Sequence, residues 1–132
     1  MHEWALAESV VLAVSRIAEQ EGLKRVFEVD IRIGELQQID LEVFGLALSE
    51  AARPLWGEIR FNIEFEKAGF KCRVCGAEWP FEPRVLDADS REAIHVIPEV
   101  AHVFIKCPRC GSSDFEIVKG RGVWVEGIKG ER

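Results

Sequence analysis

A chain of 132 residues, 48% hydrophobic and 30% charged, holds enough apolar material for one ordinary domain or two small ones, which excludes a disordered or fibrous polypeptide. Its formal net charge of -6 argues against nucleic acid as a partner, because domains that neutralise phosphates are usually basic. No stretch approaches the ~18 apolar residues of a spanning helix, and Met1-His2-Glu3-Trp4 lacks a positive leader region, so no membrane association is expected.

In chain order, Leu6, Val10, Ala13, Val14 and Ile17 recur at helical spacing and predict a helix over 4–21, capped at Gly22. Phe27 to Ile33 alternates apolar and charged residues, which predicts a half-buried strand that ends at Gly34. Asp40 is an N-cap for a second helix with Leu41, Phe44 and Leu48 on its buried side, ending before Pro54. Ile59, Phe61, Ile63 and Phe65 alternate with polar residues as a second strand. Far downstream, Phe115-Glu116-Ile117 and Val123-Trp124-Val125 read as extended chain that returns to the first sheet as its third strand.

Between these elements lie all four cysteines, as Cys72-x-x-Cys75-Gly76 and Cys107-Pro108-x-Cys110-Gly111. Two CxxC pairs can converge on one ion, and a tetrahedral set of four thiolates suits zinc. Iron fits the same spacing, as in rubredoxin, and a lone CxxC could be a redox pair. A closed set of four sulfurs leaves no open coordination position, so it is structural and staples a lobe too small to fold alone. Paired thiols without a leader point to a reducing compartment, hence the cytoplasm. The fold class read from these patterns is α+β: a small three-stranded sheet with two helices on one face plus an inserted zinc-ribbon-like lobe. Residues 1–67 and 115–132 form an α/β domain that binds nickel on the reading below, and residues 68–114 form the zinc-binding domain.

The N-terminus offers a second metal chemistry. The α-amine of Met1, the backbone nitrogen of His2 and the His2 imidazole can close fused chelate rings in one plane, a donor set that suits Ni(II) or Cu(II). One corner of that plane stays open. Glu3 is placed behind the ligands, orienting His2 or holding a water, or is simply a first-turn carboxylate favoured by the helix dipole.

Met1-His2-Glu3 followed by an amphipathic helix, Gly34-Glu35-Leu36 after a strand, and two CxxC knuckles together resemble the HypA family of hydrogenase nickel-insertion accessory proteins. The resemblance covers nearly the whole chain. It implies nickel ligation by His2, and a structural zinc held by Cys72, Cys75, Cys107 and Cys110. The long segment 76–106 between the knuckles is similar to the archaeal-type branch and contains the other two histidines, His95 and His102. His95 is the candidate for the open nickel corner. His102 alternates with Phe104 and Lys106, as a strand residue would.

The implied function is that of a metallochaperone, not an enzyme. It carries Ni(II) to the large-subunit precursor of a [NiFe]-hydrogenase with a HypB-type NTPase as partner. The chain itself has no GxxxxGK[ST] nucleotide motif. A competing class is a zinc-ribbon module that binds protein or nucleic acid and carries no metal, for which His2 would be dispensable.

Overall fold

The computed structural model describes residues 2–132, apart from the side chain of Pro98; Met1 lies outside the described residues. The chain divides into two compact units, one made of Met1–Arg32, Ile39–Glu64 and Trp124–Arg132, the other of Ile33–Gln38 and Phe65–Val123. Among the described residues no helix is long and apolar enough to cross a membrane.

The first unit contains α1 (His2–Gln20), α2 (Leu41–Trp56) and, apart from residues 33–34, 65–66 and 123, the strands β1 (Arg25–Gly34), β2 (Arg60–Glu66) and β6 (Val123–Glu131) of one three-stranded sheet in the order β2-β1-β6. The inward face of α1 carries Glu3, Ala7, Val10, Val11, Val14 and Ala18. The predicted stripe through Ala13 and Ile17 is therefore rotated by about one residue, and both side chains face outward. α1 packs on α2, which buries Phe44, Ala47, Leu48 and Ala52. Ala7 and Ala18 of α1 and Ala47 and Ala52 of α2 lie on the buried faces together with the larger Val14, Phe44 and Leu48, and Ile17 is left outside that face. Leu41, expected on the buried side, is exposed because it occupies the first turn.

Asp40 caps α2 as predicted, its Oδ1 accepting the N–H groups of Glu42 and Val43 at 3.0 and 3.2 Å. The helix runs past Pro54 to Trp56, where an end before the proline was expected. Proline removes one backbone donor, but only the last residues follow it, and the N–H of Gly57 closes the helix on the carbonyl of Arg53 at 2.9 Å. In β1 the regular alternation starts at Val29; ahead of it Val26 is buried and Phe27 turns out, its ring 5.1 Å beneath the Arg25 guanidinium. Phe65 likewise faces solvent, because β2 is an edge strand whose alternation breaks at its last two residues.

The second unit is a sheet in the order β4-β3-β5, made of β3 (Gly69–Cys72), β4 (Glu78–Pro80) and β5 (Phe115–Lys119). Both pairings are antiparallel, setting Phe70 opposite Trp79 on one side and Ile117 on the other, and Cys72 opposite Phe115. The segment Phe115–Ile117 thus belongs to this sheet and not to the first, whereas Val123–Val125 opens β6 as predicted. The core is aromatic: Phe70 and Phe115 stack edge-on with ring centroids 5.1 Å apart, and Trp79 lies 5.3 Å from Phe115. Leu36, Ala68, Phe81, Ile94 and Ala101 complete it. The insert folds as α3 (Ala88–Val96) and α4 (Ala101–Phe104), so His102 and Phe104 are helical and not on a strand. The ring of His102 lies against Phe115, with centroids 4.2 Å apart, and a helical turn is what brings it there.

The Gly34-Glu35-Leu36 segment is built into the second unit. A Cβ on Gly34 would lie 2.2 Å from the backbone of Gly120, so no other residue fits. The N–H groups of Gly34 and Leu36 donate to the carbonyls of Gly122 and Gly120 at 2.8 and 3.0 Å. Glu35 accepts the N–H of Ala68 at 2.8 Å, and Leu36 is fully buried. Replacing Gly34 by Ala must force two backbone segments apart, with an expected loss of about 1–3 kcal/mol. Thermal melts of Gly34→Ala check this, and a melting point equal to wild type would contradict the close approach.

Candidate metal centres

The structure brings Cys72, Cys75, Cys107 and Cys110 together, with all four sulfurs within 4.8 Å of one another. Cys72 and Cys110 lie 3.5 Å apart, and Cys75 and Cys107 3.6 Å apart. A regular tetrahedron with Zn–S bonds of about 2.3 Å has edges of about 3.8 Å, so the sulfurs stand where a zinc ion requires them.

Each knuckle is built the same way. The N–H groups of Val74 and Cys75 point at Cys72 Sγ, both at 3.4 Å. Those of Arg109 and Cys110 point at Cys107 Sγ, at 3.4 and 3.5 Å. Gly76 and Gly111 follow with φ of 76° each, and their N–H groups return to the carbonyls of Cys72 and Cys107. That left-handed turn is the reason each CxxC is followed by glycine. β3 supplies Cys72 at its last residue, and Arg73 ties the first knuckle to Asp114 at 3.1 Å, just ahead of β5.

The electrostatics call for a cation. Backbone donation, from Cys75 first, lowers the Cys72 thiol below its ordinary 9.0. Burial pushes Cys107 up, yet the N–H groups of Cys110 and Arg109 prevail and lower it to about 6. At Cys110 a donor from Ser112 favours the thiolate, but burial and the three neighbouring sulfurs outweigh it and raise the group to about 12. Four adjacent thiolates cannot all ionise unless a divalent ion offsets their repulsion. The donor set is soft, closed and tetrahedral, as zinc prefers, and it leaves no position for a substrate.

The other predicted site residues are distributed over both units. His2 opens α1 in the first unit, and Met1, whose amine completes the proposed chelate, lies outside the described residues. Glu3 turns inward and is 8% exposed; its carboxylate accepts the backbone N–H of Asp40 at 3.2 Å. In a capping box a Glu or Gln at the third helical position would satisfy that N–H. In α2 that position is Val43, and Glu3 of α1 does the work across the helix pair.

His95 sits on α3 in the second unit, and its Nδ1 meets the carbonyl oxygen of Gln37. His102 on α4 points Nδ1 at the carbonyl oxygen of Ser113, 3.1 Å away. Sequence reasoning missed Glu92, whose carboxylate lies within 4.8 Å of a His95 ring nitrogen. The signal was a Glu-x-x-His spacing, which carries meaning only once the segment is known to be helical.

A protein-family model described as hydrogenase/urease nickel incorporation, metallochaperone, hypA matches residues 1–130. The chain is 47% identical to the hydrogenase maturation factor HypA of Pyrococcus horikoshii, with 100% of this chain and 97% of the relative covered. It is 33% identical to the factor of the same name from Methanopyrus kandleri, covering 98% and 92% of the two chains. The solution structure of the Ni metallochaperone HypA from Helicobacter pylori aligns with a TM-score of 0.63 at 17% identity, covering 98% of this chain and 97% of that one.

The cage should hold the second unit together. Cys72→Ser removes a buried sulfur that accepts two N–H groups, so zinc should be lost along with amide protection in β3 and β5. The far-UV helical signal of α1 and α2 should largely remain. Zinc content by atomic absorption together with hydrogen exchange checks this; full zinc occupancy in the variant would exclude the four-thiolate assignment.

Proposed function

The chain belongs to the HypA family of nickel-incorporating metallochaperones and serves hydrogenase maturation, and from that premise we propose that it takes up Ni(II) at its own N-terminus. The observation that carries the proposal is that the zinc cage uses every cysteine of the chain. The transported ion must then meet nitrogen and oxygen donors elsewhere, and Met1-His2-Glu3 supplies them at one end of the sequence. The amine of Met1, the backbone nitrogen of His2 and its imidazole form three corners of a plane that favours Ni(II) over Zn(II) by geometry. His95 supplies the fourth corner, and Glu3 acts from behind the ligands by holding the start of α1 on Asp40.

Delivery follows from the same chemistry. Nitrogen donors in a plane exchange nickel without competing for the ion in the sulfur cage, because each site suits a different metal. The chain has no nucleotide motif of its own, so we assign the timing of transfer to a HypB-type NTPase and the destination to the large-subunit precursor of a [NiFe]-hydrogenase. The protein then works in the cytoplasm as a carrier that catalyses no reaction. Its charge of -6 fits protein partners better than nucleic acid.

The test is nickel calorimetry on the zinc-loaded protein with a native N-terminus. His2→Ala should abolish high-affinity binding with zinc content unchanged, and residues added before Met1 should weaken it by turning the amine into an amide. Wild-type affinity in both variants would overturn the N-terminal chelate.

The pH dependence has a fixed sign. Imidazole must be neutral to bind metal, so affinity should fall as pH is lowered, protons competing with nickel for the ring nitrogens. With two imidazoles in the site the fall is steeper than with one, so His95→Ala should weaken binding and flatten the pH profile, while His102→Ala should change neither.

A further inference from the structure

α3 places a carboxylate and an imidazole side by side, and the geometry fixes how the imidazole is used. Asp87 starts the helix by accepting the N–H of Ser90 at 2.7 Å, and Ile94 anchors it with a fully buried side chain. Glu92 and His95, three residues apart, fall on one face of the helix, with ligating atoms within 4.8 Å. His95 is only 9% exposed, whereas Glu92 is exposed.

The partner of His95 Nδ1 is a carbonyl oxygen, which can only accept, so in the neutral ring Nδ1 holds the proton and Nε2 holds the lone pair. That carbonyl belongs to Gln37, between the fully buried Leu36 and Gln38, whose φ of 50° marks a tight end to the turn. Such an N–H to carbonyl contact is how proteins fix the tautomer and orientation of a metal-binding histidine, and it raises the basicity of the ligating nitrogen.

We propose that Glu92 is a nickel donor acting together with His95: Nε2 of His95 and one Glu92 carboxylate oxygen bind the same Ni(II) ion. This rests on the reading of His95 as a nickel donor and adds a residue to it. The two groups have different tasks. The imidazole is rigid and pre-oriented, so it sets the direction of approach. The carboxylate is exposed at the end of a side chain with several rotatable bonds, so it can add to the ion or leave it. An oxygen donor above a plane of nitrogens converts a diamagnetic square-planar Ni(II) into a five-coordinate paramagnetic one, whose ligands exchange faster. It also offsets part of the positive charge of the ion. Glu92 would thus tighten the site while keeping the nickel transferable.

The experiment uses the full chain, zinc-loaded and with its native N-terminus, titrated with nickel chloride. Glu92→Gln keeps the shape and removes the anionic donor; it should weaken nickel binding about 10-fold or more. Proton NMR should then show nickel-shifted resonances in wild type and their loss in Glu92→Gln, with zinc content and circular dichroism unchanged. Arg91→Gln, next in the chain, should behave as wild type. If His95→Ala weakens binding but Glu92→Gln matches wild type in affinity and in its NMR shifts, the role of Glu92 is overturned and the reading of His95 stands. If His95→Ala leaves affinity unchanged, the reading of His95 falls and the paired site falls with it.

Discussion

Four sulfurs held within 4.8 Å of one another are the constraint on which the second unit depends. Without a cation, burial and the three neighbouring sulfurs drive the Cys110 thiol up to about 12 while backbone donors hold Cys107 at about 6, so the four sulfurs cannot all be thiolates at neutral pH. A divalent ion resolves the conflict. In doing so it fixes Cys72 at the end of β3 and, through Arg73 and Asp114, the approach to β5. The aromatic core of Phe70, Trp79 and Phe115 lies between these strands, so the metal and the core stabilise the same few residues. A sheet of three strands with at most five residues each could not hold such a register alone.

The Gly34-Glu35-Leu36 segment carries that rigidity toward the histidine on α3. Glycine permits the backbone contact with Gly120, glutamate satisfies the N–H of Ala68, and leucine enters the core. The next residue, Gln37, offers the carbonyl that meets His95. Three adjacent residues with three different physical tasks hold in place the acceptor that decides which ring nitrogen of His95 carries the lone pair.

Two metals in one small protein are kept apart by donor type. Thiolates are soft and gather zinc in a closed tetrahedron, while nitrogen and carboxylate donors suit a tetragonal nickel ion that must later leave. Glu3 is the first inward-facing residue of α1, and it completes the N-terminal cap of α2. The start of α1 is therefore anchored by a hydrogen bond to backbone as well as by apolar packing.

The sequence by itself determined the helices and first two strands of the first unit, and the cage. Helical spacing in α1, the Asp40 cap and the alternation from Val29 to Ile33 are local patterns, and CxxC followed by glycine encodes a knuckle whatever surrounds it. Met1-His2-Glu3 with the knuckles was enough to indicate the family. Only the tertiary structure decided which way several of these elements face and what they pair with. Phe115 joined β3 and not the first sheet, Phe27 and Ile17 turned outward, and His102 became helical. Glu3 found Asp40, and His95 found Gln37, 58 residues away in sequence. The reason is the range of the forces: periodicity records that a face is buried but not against what. Strand pairing and side-chain contacts to distant backbone are set by packing of the whole unit, where a one-residue shift in register or rotation changes which side chain is inside.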